Sequence, residues 1–343
     1  MRAPTGLKAG GFRAGSVNAS RLNASTVRTL LTRRPYAFAA VLAVTLLVLN
    51  IAVQPAFARP SNWAAVLAYF APLAVAAMAG TPAILSGGGG IDISIGPLLN
   101  LIDIVIVADL LPKGVTSPLG VVSICLGIGA ALGAVNGFMV TVLRFQPIVA
   151  TLCANIILTG LATQVQGDIV PQGYTAWTKS LAGSFGPVPG ALFTIGAPLL
   201  IWWLLGRTPF IKALYAVGGD DATAYSAGVN VTAVRIAAYA LGGLFAAIAG
   251  LALMAVISEG QASNATQYTL LAIAAVALGG TALSGGRGSL LGSLCGAAAI
   301  YLIDNLLGEL HVSGLWSNAV YGVVLLFAVV IGARLAGARG RAA

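Results

Sequence analysis

From Tyr36 onward the sequence is a succession of apolar runs, each near twenty residues long and separated by short stretches rich in glycine, proline and charge. A hydrocarbon core about 30 Å thick needs about 20 apolar residues per helix, so each run has the length of a membrane span. Lipid offers no partner to an exposed peptide group, which leaves the helix as the conformation such a run can adopt. Of the 343 residues, 58% are hydrophobic and only 8% charged, against roughly 25% charged in a soluble domain. Mean hydropathy is +0.95. The expected class is an all-α integral membrane protein, and a soluble two-domain architecture is excluded.

Run length and turn punctuation place ten spans, at 36–58, 63–85, 93–111, 117–143, 146–166, 190–206, 233–257, 268–286, 289–308 and 314–333. The first ends in Ala56-Phe57-Ala58, which has the small-residue spacing of a signal-peptidase site. Its apolar run exceeds the roughly 7 to 15 residues of a signal core, so an uncleaved span is expected. Residues 1–35 carry Arg2, Lys8, Arg13, Arg21, Arg28, Arg33 and Arg34 with no acid, the composition of a disordered basic tail. Residues 335–343 form a second short basic tail, and 36–334 the membrane domain.

With both termini on the cytoplasmic side, fifteen of the eighteen basic residues fall inside, and only Arg59, Lys113 and Lys179 fall outside. That asymmetry is the positive-inside pattern and supports an even number of spans. It also accounts for the net charge of +9 without a nucleic-acid partner. Cys125, Cys153 and Cys295 lie in apolar runs without metal or redox spacing and read as small core residues. His311 is the single histidine, so neither a metal centre nor a catalytic triad is expected.

Glycines recur at intervals of four at Gly129, Gly133 and Gly137, and again at Gly288, Gly292 and Gly296. Such stripes let membrane helices approach closely. Packing within one bundle is the favoured reading, and a seam between two chains is the other. One internal echo is weak: GTPAILSGG at 80–88 and GTALSGG at 280–286.

The stretch Gly87-Gly88-Gly89-Gly90-Ile91-Asp92-Ile93-Ser94 interrupts an oily region with flexible backbone and a carboxylate. A phosphate loop would need a following Lys-Ser/Thr and a strand-to-helix context, and both are missing. Irregular backbone at membrane depth is tolerated only when buried in protein or lining a cavity. The expected structure is a discontinuous helix near 86–94, with Gly89 and Gly90 at the break and Asp92 and Ser94 capping the next helix. Direct solute contact by Asp92 is the weaker alternative. Asn100 and Asp103 share a helix face at i, i+3, and an intramembrane carboxylate invites a functional role. Candidates for a polar solute path are Asn100, Asp103, Asn136, Gln164 and Asn305, each equally suited to an interhelical hydrogen bond. Asp109, Asp168, Glu259 and Glu309 mark the outer face, where acids could steer a soluble partner.

The inner stretch GRTPFIKALYAVGGDDATAYSAGVNV (206–231) has the pattern of a short amphipathic helix between glycine breaks, suited to docking a peripheral protein. Taken with GGIDISIG (89–96), VNGFMVTVLRFQPIVATL (135–152) and LGGTALSGGRGSLLGSLCGA (278–297), it resembles the membrane permeases of sugar-type ABC importers, the group that transports ribose, xylose, galactose and autoinducer-2. The blocks run in the family's order across residues 63–333.

The resemblance implies a non-enzymatic permease subunit that binds no cofactor of its own. It implies cytoplasmic ATPase subunits that use ATP, an extracytoplasmic solute-binding protein, and a second permease chain, identical or not. It also implies that the loop 207–232 couples to the ATPase, with Gly218, Gly219 and Gly228 shaping its turns beside Asp220 and Asp221. Two departures stand out: Ala222 where the family commonly has an acid, and Asp103 where an acid is seldom found. The expected function is import of a monosaccharide or similar polyhydroxy solute across a bacterial cytoplasmic membrane. The rival expectation is an ion-coupled secondary transporter using Asp92 or Asp103.

Overall fold

The computed structural model describes residues 36–168, 170–263 and 267–311, with positions 316, 319, 320, 322, 323 and 326. The tails expected at 1–35 and 335–343 lie outside the described residues, as does most of the expected span 314–333.

The other apolar runs become helices one for one. They are α1 (Ala37–Val53), α2 (Trp63–Leu85), α3 (Ile95–Ile104), α4 (Pro118–Thr141) and α5 (Pro147–Gln166), then α7 (Ala191–Leu205), α10 (Val231–Ile257), α11 (Tyr268–Leu278) and α12 (Leu290–Glu309). Proline opens α4 and α5, where its missing amide has no helical partner to lose. The Ser117 hydroxyl accepts the Gly120 amide at the start of α4, and the Ser289 hydroxyl accepts that of Gly292 at the start of α12. Among the described residues, five segments are long and apolar enough to cross a bilayer, and six if α7 counts together with α8 (Pro209–Gly219), to which it is bent by 89°.

Three boundaries and one connection differ from the sequence reading. The run 36–58 is α-helical only to Val53 and ends in a 3-10 turn over Pro55–Ala58. The run 268–286 stops as helix at Leu278, because Gly279 and Gly280 lead into turns. The run 93–111 is helical only from Ile95 and changes to a π-helical segment over Val105–Leu110. The outer connection between α5 and α7 holds a short helix α6 (Ala176–Ala182), entered through a Thr175–Thr178 capping box, and a small hairpin of β1 (Ser184–Phe185) and β2 (Val188–Pro189).

Helix α10 is the centre of the bundle, with α2, α3 and α4 packed around it. Its approach to α4 depends on the glycine stripe. A Cβ at Gly133 would run into the Tyr239 carbonyl, one at Gly129 into the Gly243 carbonyl, and one at Gly137 would lie 2.8 Å from the Ile236 Cα. Both glycine stripes are used within the chain, since Gly292 meets the Gly279 carbonyl and Gly296 that of Ala275. Helices α4 and α5 form the rim and expose Ile124, Phe138, Leu152, Ile156 and Ile157. Cys125 is a core residue, as expected from sequence, but Cys153 is exposed on α5 and Cys295 only partly covered.

Candidate functional site: a helix break held by side chains

Between Leu85 and Ile95 the chain leaves the helix and re-enters it. Gly87, Gly88 and Gly89 adopt φ of +73°, +64° and +75° in succession, a left-handed run that any Cβ would strain. Beyond them Ile91 and Asp92 lie outside regular structure and Ile93 and Ser94 form a turn, and their backbone polar groups need partners within the bundle. Neighbouring helices provide them. Thr151 Oγ1 on α5 donates to the Ile91 carbonyl at 3.2 Å, and Asn155 Nδ2 on the same helix donates to that of Ile93 at 2.9 Å. Thr269 Oγ1 on α11 donates to the Ile93 carbonyl at 3.3 Å and accepts the Gly96 amide at 3.1 Å. Asn136 Nδ2 on α4 donates to Ser94 Oγ at 2.8 Å, which in turn donates to Asp92 Oδ1 at 2.7 Å. The break is thus a polar knot shared by three helices, with Asp92, Ser94 and Asn136 all buried.

This geometry refines the expected cap. Ser94 holds the N-cap position of α3, but its hydroxyl caps no amide of that helix. Asp92 Oδ1 instead accepts the Ser94 amide at 2.9 Å, closing the turn that leads into the helix. Asn136, expected as a path residue, is engaged in the same knot.

The α2 end of the break meets two other segments. Helix α8 and helix α9 (Asp221–Ser226) form the inner loop, so the single helix expected there is two. Gly218 and Gly219 close α8 and do not make a turn, which corrects the role expected for them. A Cβ at Gly218 would strike the Leu85 carbonyl and lie 2.6 Å from the Gly286 amide nitrogen. The Gly286 amide donates to the Leu85 carbonyl at 3.1 Å. The two echoed Ser-Gly-Gly segments therefore converge on the end of α8, which explains their similarity as a shared need for close backbone approach. Gly228 does make a turn, at φ +83°, and Asp220 Oδ1 caps α9 by accepting the Thr223 amide at 3.0 Å.

The apolar bundle thus contains a glycine break joined backbone to backbone to the loop 207–232. The family described as branched-chain amino acid transport system / permease component matches residues 62–329. The chain belongs to this permease family.

Among its relatives is the ribose import permease protein RbsC of Escherichia coli strain K12, 36% identical over 285 residues that cover 81% of this chain and 87% of the relative. The Bacillus subtilis strain 168 ribose import permease protein RbsC is 34% identical over 312 residues, covering 87% and 91%. The autoinducer 2 import system permease protein LsrC of Yersinia pseudotuberculosis serotype O:3 is 32% identical over 250 residues, covering 71% and 70%. No solved structure matches the chain. The permease is a multi-pass protein of the inner membrane, in the family of ATP-driven import permeases.

The five expected path residues do not line one surface of the permease. Asn100 Nδ2 donates to the Ala262 carbonyl at 2.8 Å, and the Ala262 amide donates to Gln166 Oε1 at 2.7 Å, tying α3 and α5 to the outer loop. Asp103 is fully buried one turn later, and among the described residues neither carboxylate oxygen has a hydrogen-bond partner; the Asn100 Oδ1 is likewise unpaired. Gln164 is exposed on the outer side of α5, and Asn305 is half-buried on α12 with Oδ1 unpaired. Sequence reasoning missed Asn155 and Thr269. The signal was present, as single amide and hydroxyl side chains in apolar helices, but their common target, the Ile93 carbonyl, became visible only in three dimensions.

Proposed function

We propose that this permease forms the translocation path of an ATP-driven importer for a monosaccharide or similar polyhydroxy solute. The observation that carries the reading is the joint between Gly218, at the end of the inner-loop helix, and the Leu85–Gly90 break that leads into α3. A subunit pressing on residues 207–232 from the cytoplasm would act on that break through backbone contact. The relatives named for ribose and autoinducer-2 import supply the solute class.

In this reading the permease binds no cofactor and hydrolyses nothing. ATP is used by cytoplasmic subunits docked at the inner loop, with Asp220, Asp221 and Gly228 at the contact. A solute-binding protein delivers cargo at the outer face, a second permease chain completes the path, and both termini lie in the cytoplasm. Asn100 and Asp103 are the path residues of first choice, because they bring three unpaired buried acceptor oxygens to one face of α3. Hydroxyl groups of a sugar are the complementary donors. The π-helical segment directly after Asp103 supports the same choice, since such segments concentrate at functional sites.

The test is uptake in proteoliposomes that contain the permease with its co-purified ATPase, ATP inside and the binding protein outside. Labelled pentose should accumulate, stop with vanadate and persist with a protonophore. Labelled leucine is the control, because the family's description names branched-chain amino acids. Leucine uptake without pentose uptake would overturn the solute class, and protonophore sensitivity at constant ATP would overturn the energy source.

A further inference from the structure

We infer that Arg235 is a positioning residue that ties the cytoplasmic loop to the helix break and helps to convert loop movement into a change at the start of the path. Arg235 lies near the beginning of α10 and reaches two elements at once. Its Nη2 donates to Asp221 Oδ2 on α9 at 3.0 Å, and its Nε donates to the Ser86 carbonyl at the end of α2 at 3.3 Å. The guanidinium also lies over Gly88: a Cβ there would be 2.8 Å from Nη2 and 3.1 Å from Cζ. A planar group with donors on both edges suits such a two-ended link, which a lysine with its single point of charge could not reproduce.

The link has a fixed base and a free end. Ile236, the next residue, is packed against Gly137 in the glycine seam, so the root of the side chain is anchored on α4. Asp221 is 54% exposed as a side chain and Arg235 only 17%. The acid therefore stands at the surface where a docked subunit would arrive, and the guanidinium reaches inward from it. An ion pair with one partner in water contributes little to stability, so its value is geometric. Displacing Asp221 draws the guanidinium with it and takes a donor from the Ser86 carbonyl. Gly87, Gly88 and Gly89 next in line carry no side chain to resist the change. The glycine joint at Gly218 transmits pressure; Arg235 adds a tie that can pull.

This inference rests on the reading that an ATPase docks on residues 207–232, and two separate measurements distinguish its failure from the failure of that reading. The first uses the purified chain and follows amide hydrogen exchange over 86–90 in wild type, Arg235→Gln, Arg235→Lys and Asp221→Asn. Exchange should rise about tenfold in Arg235→Gln and Asp221→Asn and less in Arg235→Lys. The second uses the permease with its co-purified ATPase and measures solute moved per ATP hydrolysed, which should fall about fivefold or more in the same two variants. Asp221→Asn alters an exposed side chain and so guards against a result that merely reflects unfolding. Unchanged exchange in Asp221→Asn would overturn the link itself. Raised exchange with an unchanged ratio would overturn the coupling role and leave a structural tie, and a chain that co-purifies no ATPase would overturn the functional reading beneath it.

Discussion

The Gly286 amide donates to the Leu85 carbonyl across 3.1 Å, joining the turn after α11 to the inner end of α2 with Gly218 wedged beside the bond. Three segments far apart in sequence thus meet through backbone alone at one end of the bundle. Only glycine permits the approach, because a Cβ at Gly87, Gly218, Gly285 or Gly286 would collide with main-chain atoms of a neighbouring segment.

Gly218 and Gly219, adjacent in sequence, should consequently respond differently. Gly218→Val forces α8 away from Leu85 and should lower uptake by tenfold or more, or prevent stable expression, at an overpacking cost of about 1 to 3 kcal/mol or above. Gly219→Ala places a methyl where nothing lies within 4 Å and should leave both melting temperature and uptake near wild type. Fluorescence-detected size exclusion with a thermal ramp, followed by uptake, separates the two.

The Ile93 carbonyl accepts from both Asn155 and Thr269, so either donor partly covers for loss of the other. Asn155→Leu should cost about 0.5 to 1.5 kcal/mol of stability, and Thr269→Val, which also takes the acceptor from the Gly96 amide, about 1 to 3 kcal/mol. The double variant leaves the part-buried Ile93 carbonyl without either donor, and its loss should exceed the sum of the singles by roughly 1 kcal/mol. A double-mutant cycle on unfolding in detergent and denaturant reads this directly; simple additivity would mean that another donor serves Ile93.

The elements were legible in the sequence because lipid makes span length and polarity decisive: α2, α4, α5 and α10 begin and end within about two residues of their apolar runs. The break at 86–94 was legible for the same reason, since four glycines and a carboxylate have few uses at that depth. What the sequence could not give was partnership. The echo at 80–88 and 280–286 looked weak because its meaning, a common contact with Gly218, requires the three-dimensional path. Asn136 read as a path residue because an amide in an apolar helix looks the same whether it faces a solute or Ser94. The inner loop read as one helix because Gly218 and Gly219 resemble a turn, whereas both belong to α8 and Gly218 serves close packing.

Asp220 offers a pH test confined to the loop outside the spans. The Thr223 amide donating to its carboxylate holds this acid below its usual value of 3.8. A lowered folded value means that the cap contributes above the unfolded value and is lost only as pH falls through the folded one. Exchange protection of the first turn of α9 should therefore be flat from pH 8 to about 5 once corrected for intrinsic rates. Asp220→Ala should remove that protection at every pH, while Asp220→Asn, a competent N-cap without charge, should retain most of it.

Asp103 sets stability against transport most directly. Its two carboxylate oxygens are buried with no hydrogen-bond partner, and a buried polar group in that condition lowers stability. Asp103→Leu, branched at the same carbon and apolar though larger, should then melt no lower than wild type and up to a few degrees higher, the removed desolvation cost offsetting the added bulk. If solute hydroxyls are the missing donors, the same substitution removes a hydrogen bond to a charged or strongly accepting group worth about 1.5 to 3 kcal/mol, and uptake should fall roughly ten- to a hundredfold. Asp103→Asn keeps one acceptor oxygen and should fall between the two. A Leu variant that melts well and transports at the wild-type rate would remove Asp103 from the path and leave it as a feature of the bundle alone.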